Sequence, residues 1–244
     1  MIALITPTGG RPYQFHLCQL WMKQQTYKGN VAWFIVDDCQ PTSTGIIDDN
    51  FKPNWAIHKI YPTPCWEIGQ NTQARNIAAG VRAMLDTYDK KDIEAIFIIE
   101  DDDYYKPGYL ESMMPRINGF LAAGEINTIY YNVFHRRYIV NGNTTWSSLF
   151  QTALTVKALP TLEQCYKERY IDYVFFRRLE KVNLFKNGNM SVGIKGQAGR
   201  YGIGAGHQRT ANMTEDVDWK YLTKLIGEED AKYYNGYYSC LNMQ

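Results

Sequence analysis

Ala95-Ile96-Phe97-Ile98-Ile99-Glu100-Asp101-Asp102-Asp103-Tyr104-Tyr105-Lys106-Pro107 runs five apolar residues into four carboxylates and stops at a proline. The apolar part is short and rich in Ile, as a central strand buried on both faces is, and Pro107-Gly108 is suited to open a following helix. The acids therefore fall where the strand leaves its sheet. In open α/β sheets, ligands bind in the crevice outside the carboxyl ends of the strands. Adjacent carboxylates repel one another unless a cation or a donor-rich ligand neutralises them, and oxygen ligands at this density suit Mg²⁺ or Mn²⁺. A solvated acidic turn is the competing reading of this run taken alone.

Working towards the N-terminus, the same design recurs. Ile2-Ala3-Leu4-Ile5 reads as a buried strand, followed by the loop Thr6-Pro7-Thr8-Gly9-Gly10-Arg11. Pro12 starts a helix whose apolar stripe is Tyr13, Leu17, Leu20 and Trp21, closed at Lys28-Gly29. Ala32-Trp33-Phe34-Ile35-Val36 is a second strand running into acids, Asp37 and Asp38, which can accept hydrogen bonds from a base or a ribose. Residues 40–54 are loop-like and residues 56–61 form a third strand. Residues 71–86 read as a helix with Asn71 as its cap, and Arg75 and Asn76 sit in its early turns within reach of the sheet edge.

Towards the C-terminus, residues 109–123 read as helix interrupted by Pro115 and Gly119. Residues 127–140 are strand-like, with Asn141-Gly142 as a hairpin turn before Thr144-Thr145-Trp146, and this hairpin carries Arg136 and Arg137. Residues 152–159 are extended. A helical region opened by Pro160 breaks near Tyr170, and Asn187-Gly188 marks a second hairpin between residues 182–186 and 191–194. Six glycines between residues 193 and 206, with Lys195 and Arg200 among them, read as a Gly-rich lid loop closed by His207. Helices are expected over residues 217–225 and 228–234.

The 244 residues suffice for one α/β domain. With 26 Lys and Arg against 25 Asp and Glu, global charge points to no class of partner. Locally, residues 165–209 hold nine Lys or Arg against three acids, where something anionic can dock. Five scattered cysteines without a Cys-x-x-Cys pair argue against a disulfide framework or a zinc site. No leader precedes the first strand and no apolar run reaches membrane-spanning length, so a soluble, cytoplasmic protein without a membrane partner is expected.

Taken in order, these fragments resemble the GT-A glycosyltransferases, most closely the family 2 group, over roughly residues 2–210. Thr6-Pro7-Thr8 with Arg11 resembles the first-strand signature and Ile35-Val36-Asp37-Asp38 the second; Gly69 with Ala74-Arg75-Asn76 resembles a helix start of that family. Glu100-Asp101-Asp102-Asp103 followed by Pro107 is similar to the Asp-x-Asp-Asp…Pro pattern, with Glu in the first place. Asp172, ahead of Phe175 and Arg178-Leu179, resembles the acid of the Glu-Asp…Arg-Leu helix, though Ile171 replaces its first acid.

The resemblance implies a Rossmann-like α/β fold with a mixed, mostly parallel sheet flanked by helices, a hairpin and the lid. It would be one catalytic domain, with a nucleotide-binding half (residues 1–106), an acceptor-side half and lid (107–210) and C-terminal helices (211–244). It further implies transfer from a nucleotide sugar, of the UDP-glucose kind, to an acceptor hydroxyl with inversion, using Mn²⁺ or Mg²⁺. Asp172 would be the base. Asp102, Asp103 and His207 would hold the metal, with Glu100 open between metal and ribose. Thr6, Pro7, Thr8, Arg11, Asp37, Asp38, Arg75, Asn76, Glu100, Asp101, Lys195 and Arg200 would bind the donor. An exposed helical acid competes for Asp172, and an ordinary buried or surface histidine for His207. The acceptor stays open among a glycan, a protein and a hydroxymethylated DNA base, as does the oligomeric state. A sugar-phosphate nucleotidylyltransferase competes, although its Gly-x-Gly-Thr-Arg first loop is not matched by residues 6–11. So does a non-enzymatic cation- or carbohydrate-binding module.

Overall fold

Ile2 and Leu4 pack into one apolar cluster while Ala3 and Ile5 pack into another, and Trp33/Phe34 and Phe97/Ile98 divide in the same way. Such period-two burial on both faces is what an inner strand covered by two layers requires. In the computed structural model, which describes residues 1–40, 42, 47, 51–186, 188, 190–200 and 212–241, the elements follow in order. They are β1 (Ile2–Thr8), α1 (Pro12–Lys23), β2 (Val31–Asp37), β3 (Trp55–Ile60), α2 (Gln73–Thr87), β4 (Ala95–Ile98), β5 (Tyr104–Tyr105), α3 (Tyr109–Ile117), β6 (Ala122–Ile126), β7 (Ile129–Asn132) and β8 (Arg137–Val140). β9 (Thr152–Leu154), α4 (Leu159–Gln164), α5 (Ile171–Arg178), β10 (Val182–Lys186), β11 (Ser191–Lys195), β12 (Thr214–Glu215), α6 (Lys220–Ile226) and α7 (Glu228–Leu241) complete them.

The fold is the mixed α/β arrangement expected, a mostly parallel sheet flanked by helices. Seven strands lie in the order β10-β6-β9-β4-β1-β2-β3, all parallel to their neighbours except β9, which is antiparallel to both β4 and β6. A second sheet of five strands runs β12-β8-β7-β11-β5. Among the described residues no helix is long and apolar enough to cross a membrane.

Several boundaries differ from the sequence reading. α1 stops at Lys23 instead of reaching residues 28–29, because the Gln25 amide donates to the Trp21 carbonyl at 3.1 Å and to the Lys106 carbonyl at 2.8 Å, tying the chain to the loop before α3. α2 has Thr72, not Asn71, at its cap position, and the Thr72 hydroxyl turns to Asp38 instead of capping. The helix expected over residues 109–123 ends at Ile117, after which Gly119, at φ +81°, reverses the chain and Ala122–Ile126 joins the main sheet beside β10.

The Asn141-Gly142 hairpin turn does not form where its dipeptide lies, and Asn187 of the second lies outside the described residues. The β7–β8 hairpin closes at residues 133–136, where the Asn132 side chain accepts from the His135 N–H at 2.9 Å and Arg136 takes a φ of +49°. Asn187-Gly188 does not join paired strands: β10 belongs to the first sheet, while β11 pairs with β7 and β5 in the second. The extended piece at 152–159 is a strand only over β9, and the last helix runs on to Leu241.

α2 lies close on the sheet because Gly80 faces it: a Cβ there would sit 2.6 Å from Ile5 Cγ2 and 3.1 Å from Val36 Cγ2. Gly80→Leu is therefore expected to destabilise the fold by roughly 1–3 kcal/mol, the cost of overpacking a filled interior. Urea unfolding monitored by fluorescence checks it, and an unchanged midpoint would contradict this packing.

Candidate active site

Strand register decides which residues meet. Thr8 pairs with Asp37 and Ile5 with Ile98, so β1, β2 and β4 end at one edge of the sheet. The first loop, the Asp37-Asp38 pair and the acidic run 100–103 all leave the sheet there, at the carboxyl ends where α/β sheets bind ligands.

Asp101, Asp102 and Asp103 are each less than a tenth exposed. Two cations meet them. Arg11 pairs with Asp101 and lies 3.3 Å from Asp102 Oδ2, while Thr8 Oγ1 donates to Asp101 Oδ2 at 2.6 Å. Lys195 Nζ is 2.8 Å from Asp103 Oδ1 and 3.7 Å from Asp102 Oδ2, and the Ile194 N–H donates to the same Asp103 oxygen at 2.9 Å. Burial pushes Glu100 up to about 7 and Asp101 up to about 6, against the pull of Lys195 on the first and Arg11 on the second. Burial alone would favour neutral Lys195, but Asp102, Asp103 and Glu100 outweigh it and hold the ammonium charged.

Lys195 is thus not on a loop, as the glycine spacing suggested. It ends β11 and is 4% exposed. His207 and residues 201–206 of the expected lid lie outside the described residues.

Asp38, expected at the base, is a hub. Thr72 and Asn76 (2.8 Å) donate to it, Arg75 lies 3.1 Å from Oδ2, and Arg200 lies 2.8 Å from Oδ1. Burial would raise its pKa, but the hydrogen bonds from Thr72, Asn76 and Arg200 and the charge of Arg200 hold it below the ordinary value. Gly9 makes room for this hub: at φ +150°, a Cβ on it would land on the Asp38 carboxylate. Arg200 also stacks over Trp66, 4.5 Å from the ring centroid.

A cleft of about 490 Å³ opens beside these groups. Pro7, Thr8, Arg11, Asn76, Glu100, Asp102, Asp172, Lys195 and Arg200 line it. Thr6, Asp37, Asp38, Arg75, Asp101 and Asp103 stand behind that lining; Thr6 accepts from Trp33 Nε1 at 2.8 Å and Asp37 from the Cys39 N–H at 3.1 Å. Asp172 lies in the first turn of α5, where its Oδ1 accepts from the Tyr173 N–H at 2.8 Å, and burial pushes its pKa up to about 6. Sequence reasoning missed Trp66, Gln73, Arg169 and Tyr170 in the lining. Gln73 donates to Glu100 at 2.9 Å, and no motif announces that contact.

The acidic rim fits a hard divalent cation. Glu100, Asp102 and Asp103 each offer a carboxylate oxygen, and these atoms lie within 4.8 Å of one another. Asp103 Oδ2 is buried without a hydrogen-bond partner. With all four carboxylates ionised, the state a bound cation would favour, Arg11 and Lys195 would leave two negative charges, the charge one divalent cation cancels, and all-oxygen ligands suit Mg²⁺ or Mn²⁺.

Within the local basic excess, Lys195 and Arg200 point at carboxylates and Arg178 lies 3.1 Å from Glu168.

No protein-family model matches the chain, and no curated protein does. Among solved structures, S. aureus TarS is similar over 79% of this chain and 36% of its own, at 11% identity and a TM-score of 0.46. TarS 1-349 in complex with UDP-GlcNAc is similar over 82% of this chain and 59% of its own, at 13% identity and a TM-score of 0.48. The chain thus spans less than two thirds of the length of each of these structures.

Because the folded protein holds Asp38 below its ordinary pKa of 3.8, its ionised form stabilises the fold above that pH, and the contribution is lost as pH falls through the folded value. Asp38→Asn is expected to cost about 1–3 kcal/mol at pH 7, with the gap from wild type closing below pH 4. Urea unfolding at pH 7 and pH 3.5 checks this, and a gap that widens in acid would contradict it.

Proposed function

We propose that the chain is a glycosyltransferase that moves a sugar from a nucleoside diphosphate sugar to an acceptor hydroxyl. The observation that supports this most is the single cleft shared by Asp172 and the carboxylate rim of Glu100 and Asp102. A carboxylate with a pKa near 6 is largely ionised at neutral pH yet basic enough to take a proton, which suits a general base. The rim, beside Arg11 and Lys195, suits the leaving diphosphate.

Thr8, Arg11 and Asn76 line the cleft on the side of the first strand and α2, where a nucleotide would lie, and Trp66 offers an aromatic face there. Uracil is the base we expect. Asp172 takes the proton of the acceptor hydroxyl as its oxygen bonds to the anomeric carbon, and the electrons of the breaking carbon–oxygen bond leave with the diphosphate. Attack opposite the leaving group inverts the anomeric carbon. Asp102, together with Glu100 or Asp103, would hold Mn²⁺ or Mg²⁺, which supplies positive charge to offset the departing diphosphate. Arg11 holds Asp101 and Asp102 in place for that role.

Asp172→Asn should lower turnover by roughly 10²- to 10⁴-fold with little change in donor KM, and wild-type rate should fall as pH drops below about 6. Steady-state kinetics over pH 5–8 and NMR of the product anomer check both; a retained anomer would rule out this role. Asp102→Asn should abolish most transfer and weaken Mn²⁺ and donor binding together, while wild-type activity disappears in EDTA and returns with Mn²⁺. Full activity in chelator would overturn the metal assignment. Pyrophosphate release from a nucleoside triphosphate and a sugar phosphate would instead mark a nucleotidylyltransferase.

A further inference from the structure

Lys195 is a cation built into the place where a divalent ion is wanted. Its backbone is held by β11, paired with Asn132 of β7, and the next residue, Gly196, at φ +76°, has no room for a Cβ because Asn132 fills the space. Its ammonium lies 5.9 Å from the Tyr130 ring centroid and 5.8 Å from that of Phe150. Only 4% of the residue is exposed, so its ammonium sits against its carboxylates at the wall of the cleft. Two of the three acids that can ligate a metal, Asp102 and Asp103, are the two it touches.

A fixed positive charge at that range opposes a second cation, and in a site shielded from water the repulsion is scarcely screened. The same charge attracts a diphosphate. We infer that Lys195 is a resident counter-ion that keeps divalent-cation affinity low in the empty cleft and couples cation binding to arrival of the nucleoside diphosphate. The inference rests on the transferase reading above and concerns the same site. Each ligand supplies what the other lacks: the diphosphate offsets Lys195 as well as the metal, so the metal binds against less repulsion once phosphate oxygens are present. By linkage the coupling is reciprocal, and Mn²⁺ must tighten UDP by the factor by which UDP tightens Mn²⁺.

Lys195 is a positioning and gating residue here, so the test reads binding and not turnover. Mn²⁺ titrations followed by electron paramagnetic resonance, with and without UDP, are run on wild type, Lys195→Met and Lys195→Arg. Wild type should bind Mn²⁺ at least about tenfold more tightly with UDP than without it. Lys195→Met should bind Mn²⁺ alone at least about tenfold more tightly than wild type and show a smaller UDP effect, whereas Lys195→Arg, which keeps the charge, should behave as wild type. An unchanged or weaker Mn²⁺ affinity in folded Lys195→Met overturns the inference. Should that variant fail to fold, wild type alone decides: an Mn²⁺ affinity indifferent to UDP overturns it, and a UDP-dependent one supports it. Failure of wild type to bind UDP at all, with or without Mn²⁺, would instead overturn the transferase reading.

Discussion

Charge buried at the end of β4 is the constraint on which the rest of the molecule depends. Three aspartates sit there nearly out of contact with water, and Arg11 and Lys195 are the cations that pair with them among the described residues. Removing one partner of a buried ion pair typically costs ~3–5 kcal/mol, because the other charge is left behind. Arg11 comes from the loop after β1 and Lys195 from the second sheet. The electrostatic demand of one strand end therefore governs how two separate parts of the chain must sit.

A second buried carboxylate reinforces the same joint. Glu125 on β6 belongs to the main sheet, yet it accepts from Ser191 on β11 at 3.0 Å and from Gln151 at 2.9 Å, and Gln151 also reaches Ser191 at 3.1 Å. β11 is thus tied at both ends to buried acids, Glu125 of the first sheet at its start and Asp103, in the turn between β4 and β5, at its finish. Burial pushes Glu125 up to about 7, and the two donors restrain that rise. A strand held at both ends by polar contacts gives Lys195 a rigid base.

Much of the first half was legible because there local pattern and tertiary role agree. Apolar runs ending in acids marked β2 and β4, and a first strand ending in polar loop residues marked β1; the register that brings Thr8, Asp37 and Glu100 to one edge follows from those parallel strands. The second half was harder to read. Ala122-Ala123-Gly124 carries no strand-like residue type and becomes strand because it fills a slot between β9 and β10. Asn141-Gly142 and Asn187-Gly188 carry turn chemistry but lose to distant contacts: the Asn132 amide fixes the first reversal elsewhere, and separate sheets claim the two strands around the second. Lys195 looked like a loop residue among glycines, since nothing local reveals that Gly193 is there to let Tyr130 lie against the strand. Asp38 looked like a ligand-binding acid, and the convergence of Thr72, Asn76, Arg75 and Arg200 upon it is invisible without the fold.

The Asp103–Lys195 pair also orders events in time. Its partners lie 92 residues apart, so the acidic strand end forms within the first half of the chain long before its counter-charge has been synthesised. Closing so long a loop is slow, and the contact can reward folding only after the entropy of closure has been overcome. On the ribosome, the β1–β4 layer can pack its apolar faces early while its acids stay hydrated. Burial of those acids waits for β11, so the cleft can be completed only once the chain has been made as far as Lys195.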